Sequence, residues 1–224
     1  EPRPLREALA DAIYQYHGFQ ERVGVPAMLG RSHHGVVRET IEARLDAEVF
    51  EVPLGPPSIP GWRLESRLFE ALDGAGVTVE TGTRVVDVAT TADSVTAVTV
   101  RDDDGRRTYE ADAYVLATGG DAGGGIETDR DGVREPLFDC HVEAPADRRD
   151  WAAADFFGDH AFPRFGVRTD EALRPLDDRG AVAFDNLHAA GTVLGGYDFA
   201  AELSGGGVSV ATGYVAGTRA AESD

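Results

Sequence analysis

The chain has 224 residues, enough for one large domain or two smaller ones and for a sizeable core. Its formal charge is −19, and all 21 basic residues are arginine. Such a surface repels DNA, RNA and anionic lipid, which argues against a nucleic-acid partner. A single cysteine, Cys140, rules out an intrachain disulfide and any zinc or iron–sulfur centre held by cysteines of this chain alone, so no metal is expected here. No run of about 18 apolar residues occurs, so direct membrane insertion by a helix is not expected. The opening Glu-Pro-Arg-Pro-Leu-Arg-Glu does not read as a signal peptide. Acidic residues with arginine in place of lysine suit a high-salt cytosol, where screening relieves their repulsion. A GC-rich genome is the alternative source of the same bias.

Leu5, Leu9, Ile13 and Tyr16 recur at helical spacing and predict a helix over 3–17. A second is expected along Val37, Ile41, Leu45 and Val49, with Ser32 as its N-cap. Residues 52–61 hold four of the eleven prolines, which predicts a stiff, irregular connector and a domain crossing. Leu64, Leu68 and Leu72 then mark a helix closed by Gly74 and Gly76. Residues 77–81 and 84–89 read as strands, and 95–101 pairs with 108–111 across an Asp104-Gly105 turn.

Tyr114-Val-Leu-Ala-Thr-Gly-Gly120 is an apolar strand that runs into glycines. In open α/β proteins ligands lie at such strand ends. The segment from 121 to about 184 shows few periodic signals. Leu187-His-Ala-Ala-Gly191 is a second strand of this kind, and Ser204-Gly-Gly-Gly207 opens a helix of small residues. Glycines at a helix start let backbone N–H groups and the positive helix end approach an electron-rich ligand. Close packing alone explains the same glycines about as well. No segment fits the Gly-x-Gly-x-x-Gly dinucleotide fingerprint.

Arg130 and Arg134 could clamp a phosphate, with Arg168 and the pair His33 and His34 as further candidates. Salt bridges to Asp129, Asp131 and Glu135 are the competing reading for the two arginines, and exposed imidazoles at a helix start for the histidines. A nucleophilic triad is not indicated, because no Gly-x-Ser-x-Gly elbow surrounds Ser209.

Pro26-Ala-Met-Leu-Gly30, Pro56-Pro-Ser-Ile-Pro-Gly-Trp-Arg-Leu64, Ala117-Thr-Gly-Gly120, Asp129-Arg-Asp-Gly-Val-Arg-Glu-Pro136, Phe165-Gly-Val-Arg-Thr-Asp170 and Val193-Leu-Gly-Gly-Tyr-Asp198 together carry a resemblance. From about residue 24 onward the chain resembles the B-subunit family of the anaerobic, quinone-linked glycerol-3-phosphate dehydrogenases. The resemblance implies an α/β flavoprotein with a glutathione-reductase-like nucleotide domain, of which this chain is the C-terminal part, lacking the glycine-rich βαβ unit. It implies a cap or substrate domain in 1–60 and 126–185, and nucleotide-domain pieces in 61–125 and 186–224.

The cofactor implied is FMN, or FAD. Thr118, Gly119 and Gly120 are then expected on its phosphate side, Gly191 and Thr192 beside its ribityl part, and Gly206, Gly207, Val208 and Ser209 as N–H donors to the pyrimidine edge. Val85 would lie near an adenine if the cofactor is FAD. Many members of the wider superfamily carry an acidic residue where Thr192 stands. The catalytic candidates become Arg134, Arg130 and His34, acting on glycerol 3-phosphate. The implied partners are a catalytic A subunit and an iron–sulfur C subunit, through which the protein would reach the cytoplasmic face of the membrane. A non-catalytic relay or assembly module, and a fumarate-reductase-like enzyme with another substrate, are the competing functions.

Overall fold

A computed structural model describes residues 3–55 and 57–222, so Pro56 of the proline-rich connector lies outside the described residues. The chain forms two compact units, Glu1–Glu80 and Thr81–Asp224.

The first unit contains α1 (Arg3–Tyr14), β1 (Arg22–Pro26), α2 (His34–Leu45), β2 (Glu48–Val52) and α3 (Ile59–Gly74). Strands β1 and β2 run parallel in register Arg22↔Glu48 through Pro26↔Val52. Ala10, Val25, Leu29, Ile41, Leu45 and Val49 form the core between them and the first two helices. The helical stripe expected in α1 is rotated: Ala10 is buried, whereas Leu5 and Tyr16 are exposed. Helix α2 starts at His33 rather than Ser32 as N-cap and stops at Asp46, whose left-handed backbone (φ 51°) turns the chain into β2. Val49 is therefore a strand residue, and its spacing from Leu45 coincides with the helical period without belonging to it.

Helix α3 begins inside the stretch read as irregular. Proline is tolerated in the first helical turn because its missing N–H has no intrahelical partner there, and Ser58 accepts the Gly61 N–H at 3.1 Å to cap the start. Arg63 anchors this helix: its guanidinium donates to the Gly30 carbonyl at 2.6 and 2.8 Å and pairs with Glu51, which also accepts the Leu29 N–H at 3.0 Å. The pair is largely sheltered and holds Glu51 below its usual carboxylate range, chiefly through the Arg63 hydrogen bond. Residues 77–81 are irregular, not a strand.

The second unit opens with the antiparallel sheet β3 (Arg84–Thr90), β4 (Val95–Asp102) and β5 (Gly105–Glu110). The β4–β5 turn falls on Asp103 and Asp104, with Asp102 accepting from the Asp104 and Gly105 N–H groups. Strand β6 (Tyr114–Leu116) pairs in parallel with β11 (Leu187–Ala189) across some seventy residues of intervening chain. Between them lie only two-residue strands, β7 (Glu127–Thr128), β8 (Val133–Arg134), β9 (Val142–Glu143) and β10 (Gly166–Val167), with single 3₁₀ turns. Helix α4 (Gly205–Ala221) packs on β6 and β11.

The core of this unit gathers around the parallel pair: Leu116, Leu187 and Ala189 meet Val95, Ile126, Val142, Val167 and Val193. Alternation along β11 puts Leu187 and Ala189 into that core. Asn186 locks the entry to β11, bonding both the N–H and carbonyl of Val95 at 2.8 Å and the Asp112 carbonyl at 3.0 Å. Glu135, almost fully buried, is satisfied by the Leu137, Phe138 and Cys140 N–H groups and serves as a turn cap.

Candidate flavin site at the ends of two parallel strands

Parallel pairing puts the carboxyl ends of β6 and β11 side by side, and each strand runs straight into a glycine turn. Beyond β6, Gly119 adopts φ +86°; beyond β11, Gly191 adopts φ +76°. The Gly120 N–H donates to Thr192 Oγ1 at 3.1 Å, joining the two turns directly. The threonine that replaces the wider superfamily's acidic residue thus acts as a clasp between turns.

The space around these turns is narrow on one side and open on the other. A Cβ at Gly120 would sit 2.8 Å from the Thr192 carbonyl oxygen, so only glycine fits there. Thr118 Oγ1 is buried and has no hydrogen-bond partner among the described residues. A buried hydroxyl left unpaired costs about 1–3 kcal/mol, so an acceptor or donor at this point would stabilise the turn. By contrast, a Cβ at Gly206 or Gly207 would meet nothing within 4 Å.

Helix α4 reaches the same place from the other side. Gly191 N–H donates to Thr212 Oγ1 at 2.9 Å, and a Cβ at Gly191 would lie 3.6 Å from Ser209 Oγ. Ser209 and Thr212 both return a hydrogen bond to the helix backbone, at Gly205 and Val208. The N-cap residue Ser204 makes no side-chain cap, so the first-turn N–H groups receive no side-chain acceptor from it. The Val208 N–H, expected to face a ligand, is already bonded to the Ser204 carbonyl at 2.9 Å. Donors at this end are therefore restricted to the first turn, at Gly205, Gly206 and Gly207.

The structure thus brings together Thr118, Gly119, Gly120, Gly191, Thr192 and the α4 start with Ser209. Val85 stands apart, in the antiparallel sheet opposite Val100. Arg134 faces Glu127 across the β7–β8 hairpin at 2.7 Å and approaches Asp129 at 4.0 Å, which holds its pKa above the ordinary value, first through the Glu127 hydrogen bond. Arg130 is exposed at the hairpin turn, and Arg168 pairs with Glu143 at 3.4 Å. His33 and His34 belong to the first unit, His34 half-buried with Nδ1 unpartnered among the described residues.

Thr212 and Asn186 are the structural contributors that sequence reading passed over. Thr212 lies four residues after Val208 on the same helical face, which was the available signal. Among the described residues no group of three or more His, Cys, Asp or Glu side chains could hold a metal ion, and no helix is long and apolar enough to cross a membrane.

An α/β chain with two glycine turns at the ends of adjacent parallel strands and a glycine-opened helix facing them has the layout of a dinucleotide or flavin domain. The chain belongs to the FAD binding domain family, whose model matches residues 3–208. It is 57% identical over 220 residues to the probable B subunit of the anaerobic glycerol-3-phosphate dehydrogenase of Halobacterium salinarum, covering 98% of this chain and 52% of that one. The B subunit of the anaerobic glycerol-3-phosphate dehydrogenase of Yersinia pseudotuberculosis is 33% identical over 205 residues, covering 92% of this chain and 47% of its own. That of Vibrio cholerae is 32% identical over 212 residues, with the same two coverages of 92% and 47%. These matches bear out the resemblance read from the motifs, and the chain spans about half the length of these relatives. A crystal structure of thioredoxin reductase from T. acidophilum aligns over 96% of this chain and 54% of that one, at 13% identity and a TM-score of 0.19. That score is too low to relate the two folds.

Proposed function

We propose that this chain is the C-terminal part of the flavoprotein subunit of a quinone-linked glycerol-3-phosphate dehydrogenase. The observation that carries the reading is the Gly120 to Thr192 hydrogen bond, which joins two glycine turns at the carboxyl ends of β6 and β11. Thr118, Gly119 and Gly120 would hold the phosphate side of FMN or FAD, Gly191 and Thr192 its ribityl part, and Gly206 and Gly207 its pyrimidine edge. Ser209 supports the Gly191 turn, and Val85 would serve only an adenine. The unpaired Thr118 hydroxyl and the open Gly206–Gly207 surface fit such a ligand.

A flavin bound there supplies a hydride acceptor for the carbinol carbon of glycerol 3-phosphate, giving dihydroxyacetone phosphate. The chain's own contribution is the positive end of α4, which favours negative charge at the pyrimidine edge, and a turn geometry that admits no side chains between backbone and ligand. Residues 61–125 and 186–224 would be nucleotide-domain pieces and 1–60 and 126–185 cap pieces. The pairing of β6 with β11 supports this discontinuous arrangement. The relatives' length supports an upstream Gly-x-Gly-x-x-Gly unit in a longer polypeptide, and their naming as one subunit of several supports A and C partners at the cytoplasmic face of the membrane.

Flavin content of the purified full-length polypeptide tests the reading. One flavin per chain, reduced by glycerol 3-phosphate in the assembled complex, is expected. A full-length chain without flavin overturns it.

A further inference from the structure

A cavity of about 640 Å³ opens in the second unit beside the first glycine turn. Asp121, the residue after Gly120, lines one wall and Thr128 of β7 another. Trp151, Phe162 and Phe165 supply an aromatic side, with Trp151 and Phe165 edge to face at 5.5 Å between ring centroids. Trp151 is fixed by its indole N–H, which donates to the Pro145 carbonyl at 2.7 Å. Arg148 stands at the mouth with its guanidinium 5.1 Å from the centre of the Trp151 ring.

The two adjacent arginines on this wall are not equivalent. Arg149 is committed to Asp147, with contacts of 2.5 to 3.0 Å to both carboxylate oxygens. Arg148 forms no salt bridge with any carboxylate among the described residues, in a chain where Arg134, Arg164, Arg168 and Arg174 all do. Its field reaches Asp129, whose carboxylate is otherwise occupied by the Asp131 and Gly132 N–H groups. The cavity therefore offers a cation free to take an anion at one end, a carboxylate able to accept from hydroxyl groups at the other, and aromatic faces for the carbons between.

We propose that this cavity binds the substrate as a small polyol phosphate, with Arg148 taking the phosphate and Asp121 a hydroxyl group. This rests on the glycerol 3-phosphate reading above and locates its substrate site. The β7–β8 hairpin is the weaker place, because Arg134 would have to leave Glu127 and Asp129 to meet a phosphate.

The test uses the full-length, flavin-loaded protein and titrates glycerol 3-phosphate, inorganic phosphate and glycerol by calorimetry. Only two tryptophans occur, so quenching of Trp151 fluorescence in a Trp62→Phe background gives a second, local readout. Glycerol 3-phosphate is expected to bind and quench, phosphate to compete more weakly, and glycerol not to bind. Arg148→Ala should weaken glycerol 3-phosphate by about tenfold or more, as loss of charge-assisted hydrogen bonds does. Arg148→Lys should recover part of this, and Arg134→Ala should stay within about twofold, all with unchanged flavin content. Unchanged affinity in Arg148→Ala, loss in Arg134→Ala instead, or no binding to a flavin-loaded wild type each overturns the site while leaving the flavin reading intact. Absence of flavin from the wild type strikes the flavin reading, and Arg148-dependent binding would still report on the cavity.

Discussion

Gly125 is buried beneath the first glycine turn, and its replacement by alanine probes how closely that turn is packed. A Cβ at this position would overlap the Gly119 carbonyl oxygen outright and lie 2.5 Å from Thr118 Oγ1. Overpacking typically costs about 1–3 kcal/mol, less where a flexible side chain can move aside. Here the obstacle is backbone, held from both directions. Gly120 donates to Thr192 and its carbonyl accepts from Gly123 and Gly125. The cost should therefore approach the upper end, about 3 kcal/mol. For a unit of this size that lowers the melting temperature by about 10 °C, at roughly 3–4 °C per kcal/mol. Far-ultraviolet circular dichroism during heating in concentrated salt measures it. Gly206→Ala is the control, because its methyl group meets nothing within 4 Å, and it should melt within about 3 °C of the wild type. A Gly125→Ala protein that also melts within about 2 °C of the wild type would refute the close approach and the shape of the cradle built on it.

Four further outcomes are expected. Thr192→Val removes the acceptor for the Gly120 N–H and should cost about 1 kcal/mol in urea unfolding, with Thr192→Ser close to wild type; faster amide exchange at Gly120 would locate the loss. Glu51 titrates lower in the folded chain than its ordinary 4.5, so its contribution is fully present above that value and is lost as the pH falls through the folded one. Glu51→Gln should be the less stable protein at pH 7 and converge with wild type in acid; parallel stability curves would contradict this. Burial, then the nearby Glu135, pushes the Cys140 thiol far up, so it should resist iodoacetamide at pH 8 until the chain is denatured. With a net charge of −19, the unfolding midpoint should fall when molar potassium chloride is reduced to about 0.1 M; full stability in dilute buffer would disprove the high-salt reading.

The strands and turns around the site were legible because their signals are local. Tyr114 to Gly120 and Leu187 to Gly191 each show an apolar run ending in glycine, and a run of that kind permits few alternatives. Ser204 to Gly207 marked a helix start correctly. What was not legible depends on partners distant in sequence. Val49 continues the spacing of α2, and only the left-handed turn at Asp46 shows that the helix has ended. The prolines at 57 and 60 suggested irregular chain, yet Ser58 supplies a cap that turns proline into a helix starter. Val208 looked available until the helix register committed its N–H to Ser204. Arg134 and Arg148 are equally basic in sequence, and only placement reveals that one is paired while the other faces a cavity.

The pairing of β6 with β11 also bears on how this unit is made and how it can vary. Its two strands are separated by some seventy residues, so the pair cannot form on the ribosome until the second strand has emerged. Non-local parallel pairing of this kind is intrinsically slow, which predicts a late-forming core around Leu116, Leu187 and Ala189. Once closed, however, the loop is cheap to lengthen: doubling it adds only about 0.6 kcal/mol. Insertions and deletions between β7 and β10 can therefore accumulate with little effect on the two glycine turns, provided the register at Leu187↔Tyr114 is kept. The excursion is free to evolve new surface while the strand ends it connects stay where they are.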